Sequence, residues 1–283
     1  MKKRLMAAVL STAMAATMLL TGSISVQAAD AAAANDPAVE LIFTSVSVSG
    51  DSHTEAMYEF ADKVEELSGG SVTCKCYDNG SLFSSENEFD ALLNGDADLA
   101  YISFPTIATQ IPSYSMFASG YLFSSYEHMT SVLNGDIGLN KIRPQIEETL
   151  NIKPLSSFYL GSRVINTREK EINSYDDMNG LLLRMPNSEA WLFLGEALGA
   201  NPTPLSFSEL YTALQTGAVD AQDNPLPSIE SAKFYEVTKY IAITNHVVDS
   251  IMPCINGDTW NSMTEAQQEA VTEAMEYARD IND

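Results

Sequence analysis

Six arginines occur in the sequence, one of them in the opening Met1-Lys2-Lys3-Arg4; of the other five, Arg163, Arg168 and Arg184 fall in one stretch between Gly161 and Pro186. Arg184 is the informative one. It interrupts Leu181-Leu182-Leu183-Arg184-Met185, whose apolar neighbours predict a buried strand, and Pro186 and Ser188 then begin a helix. A guanidinium stays charged, and burying it unpaired costs several kcal/mol, so it must meet a carboxylate. That carboxylate is either a permanent Asp or Glu of the chain or part of a ligand. Position supports a ligand: α/β proteins place their sites where strand ends meet helix starts, and Arg grips carboxylates with two parallel hydrogen bonds. Arg163, in Gly161-Ser162-Arg163-Val164-Ile165, has a similar strand-like setting and reads equally as a hinge or surface arginine. Asn224, held extended by Pro225, can present its amide to a ligand or simply form a turn.

Other chemistry is poorly supplied. No G-x-S-x-G, H-E-x-x-H or phosphate-cradling glycine loop is present, and there are only three histidines, His53, His128 and His246. His53 falls in the first turn of a helix, and the other two read as structural. The three cysteines, Cys74, Cys76 and Cys254, cannot all pair within one chain. Cys74 and Cys76 share one face of a strand, but no further Cys or His ligands lie at metal-binding spacing, so they read as small core hydrophobes. Neither a metal nor another cofactor is expected. A secreted hydrolase and a surface interaction module are the competing functional classes; the latter would have no need of an arginine buried in an apolar strand.

The elements that must position these residues follow from pattern. A basic start, an apolar run from Leu5 to Leu20 and Val26-Gln27-Ala28 make residues 1–28 a secretory signal peptide. Leu20-Thr21-Gly22-Ser23 has Ser where a lipoprotein carries its acylated Cys, so the expected product is exported and soluble in the periplasm or extracytoplasmic space, and not itself membrane-embedded. The alanine-rich residues 29–37 read as an unstructured leader. A formal charge of −23, made more negative by losing the basic start, repels nucleic acid and anionic lipid. Beyond the leader, strands and helices alternate. Val39 to Thr44 reads as a strand, Met57, Phe60, Ala61, Val64 and Leu67 as the apolar face of a helix that starts at Ser52 and is stopped by Gly69-Gly70, and Ser71 to Tyr77 as a strand. Capping boxes are expected at Ser85/Glu88, Ser124/Glu127 and Ser206/Glu209. The helices after the first and last of these end in an echo, Ala91-Leu92 to Gly95 to Asp98 and Ala213-Leu214 to Gly217 to Asp220, both A-L-x-x-G-x-x-D. The pattern implies an α/β fold of two similar lobes.

Longer stretches resemble a known family. Asp176-Asp177-Met178-Asn179-Gly180 through Arg184-Met185-Pro186, then Leu198-Gly199-Ala200-Asn201-Pro202-Thr203-Pro204, then Ser208-Glu209-Leu210-Tyr211 through Asp220 are similar, in this order, to the DctP solute receptors of tripartite ATP-independent periplasmic (TRAP) transporters. Gln222-Asp223-Asn224-Pro225-Leu226 and Lys233-Phe234-Tyr235-Glu236-Val237 through Asn245-His246 continue the match. The resemblance implies a two-lobe, periplasmic-binding-protein-like (type II) fold with a hinge and an interlobe ligand cleft. Lobe I is then residues 38–160 and 250–283, and lobe II residues 161–249; the chain would stop within a helix that the family continues. The implied activity is binding, not catalysis: capture of a small carboxylate ligand, of the sugar acid or C4-dicarboxylate class, for delivery to the transporter's membrane subunits. Arg184 corresponds to the arginine that pairs with the ligand carboxylate, Arg163 to a second ligand-reaching arginine, Asn224 to an amide donor and Phe207 to a packing ring. Ser85, Ser103 and Phe104 are the implied lobe I lining. Asp223-Asn224 stands where metal-using members have Glu-Trp, which disfavours a metal.

Overall fold

β1 (Val39–Thr44), α1 (Ser52–Leu67) and β2 (Val72–Tyr77) open the fold as a βαβ unit, with Val39 opposite Val72 in parallel register. This computed structural model describes residues 33–283, so the expected signal peptide lies outside the described residues. The helical spacing of Met57, Phe60 and Val64 is what holds α1 on the sheet, since all three are fully buried. α2 (Glu88–Asn94), β3 (Leu99–Ile102) and the short α3 (Phe104–Ile107) follow. After a 3₁₀ turn at Pro112–Ala118 come α4 (Tyr126–Leu133), a π-helical turn at Gly138–Ile142 that runs into α5 (Arg143–Leu150), and β4 (Ile152–Pro154).

The second half of the chain repeats the layout with β5 (Phe158–Thr167), β6 (Leu182–Met185), α6 (Glu189–Ala197), β7 (Asn201–Pro204), α7 (Phe207–Thr216), β8 (Ala221–Pro225) and α8 (Leu226–Ser231). The 17-residue β9 (Tyr240–Asn256), α9 (Gly257–Ser262) and α10 (Glu265–Asn282) then return to the first half. Strand order is β2-β1-β3-β9-β5-β8-β6-β7, with β4 also on β9. Read outward from the centre, β9-β3-β1-β2 and β5-β8-β6-β7 match. Each ends in the same two parallel pairings, β3 with β1 with β2 and β8 with β6 with β7. Two apolar cores lie in each half. The result is the two-lobed α/β fold that the pattern implies.

β5 and β9 join the lobes. β9 pairs with β3 over Met252–Ile255 and with β5 over Tyr240–Ile251. The β5/β9 register slips between Tyr159 and Gly161 and again between Arg163 and Ile165. Gly161 is required at the first slip: its φ is +122°, and a Cβ there would stand 2.4 Å from Cβ of Pro225.

The echo motif is one device used twice. Gly95 and Gly217 close their helices with φ of 77° and 82°. The Asp98 carboxylate then accepts the Ile42 N–H at 2.8 Å, and that of Asp220 accepts the Leu182 N–H at 3.0 Å. Each aspartate thereby ties an entering strand to its parallel neighbour.

Three helix starts differ from expectation. α2 begins behind Asn87 rather than with a Ser85/Glu88 box, because the Glu88 side chain is buried and does not reach back to the chain. Ser125, one residue later than expected, caps α4 by accepting the His128 N–H. At α7 the Ser206 hydroxyl donates to the Glu209 carboxylate instead of accepting a backbone amide. The described part of the expected leader, residues 33–37, is docked: Ala33 is buried, the Thr264 hydroxyl bonds Asp36, and Gln267 Nε2 donates to the Pro37 carbonyl at 2.8 Å. All three cysteines are free; Cys254 is buried, and Cys74 and Cys76 pack half-buried on the first core. Among the described residues no helix is long and apolar enough to cross a membrane.

Candidate functional site

A cleft of about 160 Å³ lies between the lobes. Six of the seven residues selected from the sequence line it: Ser85 and Ser103 from one side, Arg163, Arg184, Phe207 and Asn224 from the other. Phe104 does not. Ser103 is the N-cap of α3, so the next residue turns about 100° around the helix into the core, where its ring stacks on Phe117 with centroids 4.1 Å apart.

Arg184 lies in β6 beside Gln222 of β8 and is 2 % exposed. Its Nε donates to the Leu205 carbonyl at 2.8 Å, while Nη1 and Nη2 have no hydrogen-bond or salt-bridge partner among the described residues. The Phe207 ring lies 5.9 Å from the guanidinium carbon. Desolvation pulls its pKa down to about 10, with Asp223 opposing and Arg163 adding to the shift. The group therefore remains positive at neutral pH. It is a buried cation at the cleft wall with a free two-nitrogen edge and no fixed counter-ion.

Arg163, 3 % exposed, is the opposite case. Nε donates to Asp223 Oδ2 at 2.9 Å, Nη1 to Asp249 Oδ2 at 2.7 Å, and Nη2 to the Asp223 carbonyl at 2.6 Å. Its guanidinium also stacks 4.4 Å from the centre of the Trp191 ring. Burial would lower its pKa, but the two aspartates outweigh that and raise it. The same balance acts on Asp223: desolvation pushes its carboxyl up, and Arg163 with His246 brings it below the ordinary range. His246, fully buried, completes the network with Nε2 3.2 Å from Asp223 and Nδ1 2.7 Å from the Thr244 hydroxyl. Arg163 thus borders the cleft with all three nitrogens committed to the protein.

The two arginines stand one on each side of the β8 end, and Asn224 lies between their roles. Its Oδ1 accepts from Arg163 at 3.3 Å and its Nδ2 donates to Gln222 Oε1 at 2.6 Å, which leaves one N–H free.

Among the lining residues that sequence reasoning missed, Trp191, His53 and Glu88 carry the most chemistry. Trp191 had no signal beyond helical burial. His53 was placed in its helix turn, but its ring also faces the cleft, with Nδ1 3.1 Å from Asp51. Asp51 in turn accepts a hydrogen bond at 3.2 Å from Ser231 of α8, a direct link from lobe to lobe beside the cleft. Glu88 read as a cap residue, because an acid in a first helical turn looks the same whether it caps or turns inward. No cluster of three or more His, Cys, Asp or Glu that would hold a metal occurs among the described residues.

Two α/β lobes joined by crossing strands, with a cleft between them that a free guanidinium edge borders, are the architecture of a solute receptor. The chain belongs to the DctP family, bacterial extracellular solute-binding protein, family 7, whose match spans residues 43–283. It is 33 % identical over 222 residues to the sialic acid-binding periplasmic protein SiaP of Vibrio cholerae, covering 78 % of this chain and 68 % of that one. A TRAP periplasmic solute-binding protein from Roseobacter denitrificans, solved with 3-deoxy-D-manno-oct-2-ulosonic acid, is 38 % identical with a TM-score of 0.81, over 87 % of this chain and 80 % of that one. The sugar acid binding protein of Advenella mimigardefordensis, solved with galactonate, gives 30 % and 0.82, over 87 % and 79 %. Members of this family are solute receptors, so the protein is a receptor and not an enzyme.

Proposed function

We propose that the protein captures a small carboxylate-bearing solute outside the inner membrane and delivers it to the membrane subunits of a TRAP transporter. The observation that carries this reading is the free Nη1/Nη2 edge of buried Arg184, whose geometry fits a carboxylate held by two parallel hydrogen bonds. The relatives support it, since those named above bind sialic acid, an octulosonic acid and galactonate. Sugar acids and short dicarboxylates are the two cargo classes.

In the mechanism the lobes, 38–160 with 250–283 and 161–249, open about the β5/β9 slip where Gly161 pairs with Asp249. An arriving carboxylate neutralises Arg184, so that closure no longer buries a lone charge. Asn224 offers its remaining N–H to the same carboxylate, and Phe207 packs on the cargo. Arg163 holds Asn224 and the Asp223 carboxylate in place, so its part in binding is positioning. The strongly negative surface repels an anion only within the screening length, about 8–10 Å in physiological salt, so inside the cleft Arg184 dominates. The secretory start of the chain delivers the receptor to the compartment where this happens.

A charge-assisted pair removed from water is worth a few kcal/mol, which is tenfold to several-hundredfold in affinity. A thermal-shift screen of organic and sugar acids tests the reading. At least one acid should stabilise the wild type and not Arg184→Ala. Equal stabilisation of both proteins by every hit would refute it.

A further inference from the structure

Glu88 is a second buried ionisable group on the cleft wall that the receptor mechanism leaves unused. It projects from the first turn of α2 in lobe I, is 5 % exposed, and its Oε1 is buried with no hydrogen-bond partner. The neighbouring Thr44 hydroxyl offers partial compensation only, and it too lacks a hydrogen-bond partner. An unpartnered buried oxygen costs stability, and nothing in the packing of α2 demands one, since Phe89, Ala91 and Leu92 already hold the helix on its core. Ser85, Ser103 and Thr106 share the lobe I wall with apolar Val46, Phe89 and Ile102, and lobe I contributes no Lys or Arg to the cleft.

We propose that Glu88 is the specificity-determining residue of lobe I: its carboxyl group hydrogen-bonds a hydroxyl of the cargo and rejects a second carboxylate, so that the cargo is a hydroxylated monocarboxylate. This inference rests on the receptor reading above, with Arg184 holding the single carboxylate. Burial raises the Glu88 pKa well above the ordinary range, and no charged neighbour offsets it. That shift favours the protonated acid, which can both donate and accept. A hydroxyl satisfies it. A second carboxylate placed against it would find no Lys or Arg from lobe I, and would share the cleft with Tyr101, His53, already beside Asp51, and the ion-paired Asp249, while Arg163 and Arg184 line it from lobe II. Of the two cargo classes, the geometry selects the sugar acids over the C4-dicarboxylates.

The experiment compares two probe sets by calorimetry and thermal shift: erythronate, galactonate, glucuronate and 3-deoxy-manno-octulosonate against succinate, malate and glutarate. A binder should come from the first set. For that binder, Glu88→Met should lose at least about tenfold in affinity, and Glu88→Gln should stay within about threefold because it keeps both hydrogen-bonding capacities. The unliganded Glu88→Met protein should melt at or above the wild-type temperature, since the orphaned oxygen is gone; a merely structural glutamate would show a fall. Binding of any dicarboxylate as tight as the best monocarboxylate overturns the inference. So does Glu88→Met binding within twofold of wild type while Arg184→Ala does not bind, an outcome that leaves the receptor reading intact. Should Glu88→Met fail to fold, the dicarboxylate comparison and Glu88→Gln decide. If no probe of either set binds, the receptor reading fails and this inference with it.

Discussion

Replacing Arg163 and Arg184 separately by alanine should have opposite consequences, although the two residues are similarly buried and stand near the same strand end. Arg163 compensates Asp223, which is fully buried, and Asp249, which is nearly so. Its removal leaves those carboxyls without their cation, and breaking a buried pair in this way costs about 3–5 kcal/mol. For a domain of this size 1 kcal/mol is about 2–4 °C in Tm, so Arg163→Ala should melt about 6–20 °C below wild type. Arg184 makes a single bond, to the neutral Leu205 carbonyl, worth about 1 kcal/mol, and its loss relieves an uncompensated buried charge. Arg184→Ala should therefore melt within about 4 °C of wild type, in either direction, while losing ligand binding. Circular-dichroism melts of the three unliganded proteins at pH 7 and 150 mM salt make the comparison. Equal falls for the two variants, or a larger fall for Arg184→Ala, would refute the assignment of one arginine to the fold and the other to the ligand.

Gly161→Ala places a Cβ 2.4 Å from Pro225 at a φ of +122°, so it should lose at least about 2 kcal/mol and melt at least about 4 °C lower. A wild-type melting temperature would show that the β5/β9 slip is not tight. The buried aspartate gives a pH test. Its folded pKa is lowered, so Asp223 contributes stability that is present above its unfolded pKa of about 3.9 and lost as pH falls through the folded value. The deficit of Asp223→Asn in urea midpoint should accordingly be constant from pH 7 to 5 and shrink below about pH 4. A deficit that grows on acidification would contradict the sign.

Local pattern made much of this structure readable. The two-residue rhythm placed β1 at its observed bounds and the hydrophobic period started α1 at Ser52, with Gly69-Gly70 just past its end, because burial of one face is a local property of spacing. The two A-L-x-x-G-x-x-D motifs carried the lobe repeat, since the left-handed glycine and the strand-clamping aspartate are both fixed within eight residues. Arg184 was legible for a related reason: a charge inside an apolar run has to be explained by something outside the run.

What the sequence withheld were partners. Nothing near Arg163 tells that Asp223 and Asp249, 60 and 86 residues away, close on it, so by similarity it read as a second ligand-reaching arginine. Glu88 and Phe104 failed through direction. One residue of helical rotation sends Phe104 into the core while Ser103 faces the cleft, and the inward turn of Glu88 depends on α2 starting two residues later than the serine suggested. Trp191 is found only when the stack it forms on Arg163 is seen.

A crystal structure of the protein with its tightest-binding acid examines the centre of the account. Both carboxylate oxygens should sit about 2.7–2.9 Å from Nη1 and Nη2 of Arg184, with Arg163 still bound to Asp223 and Asp249. A cargo carboxylate bound elsewhere, with that guanidinium edge left to water or paired with an acid of the protein, would contradict it.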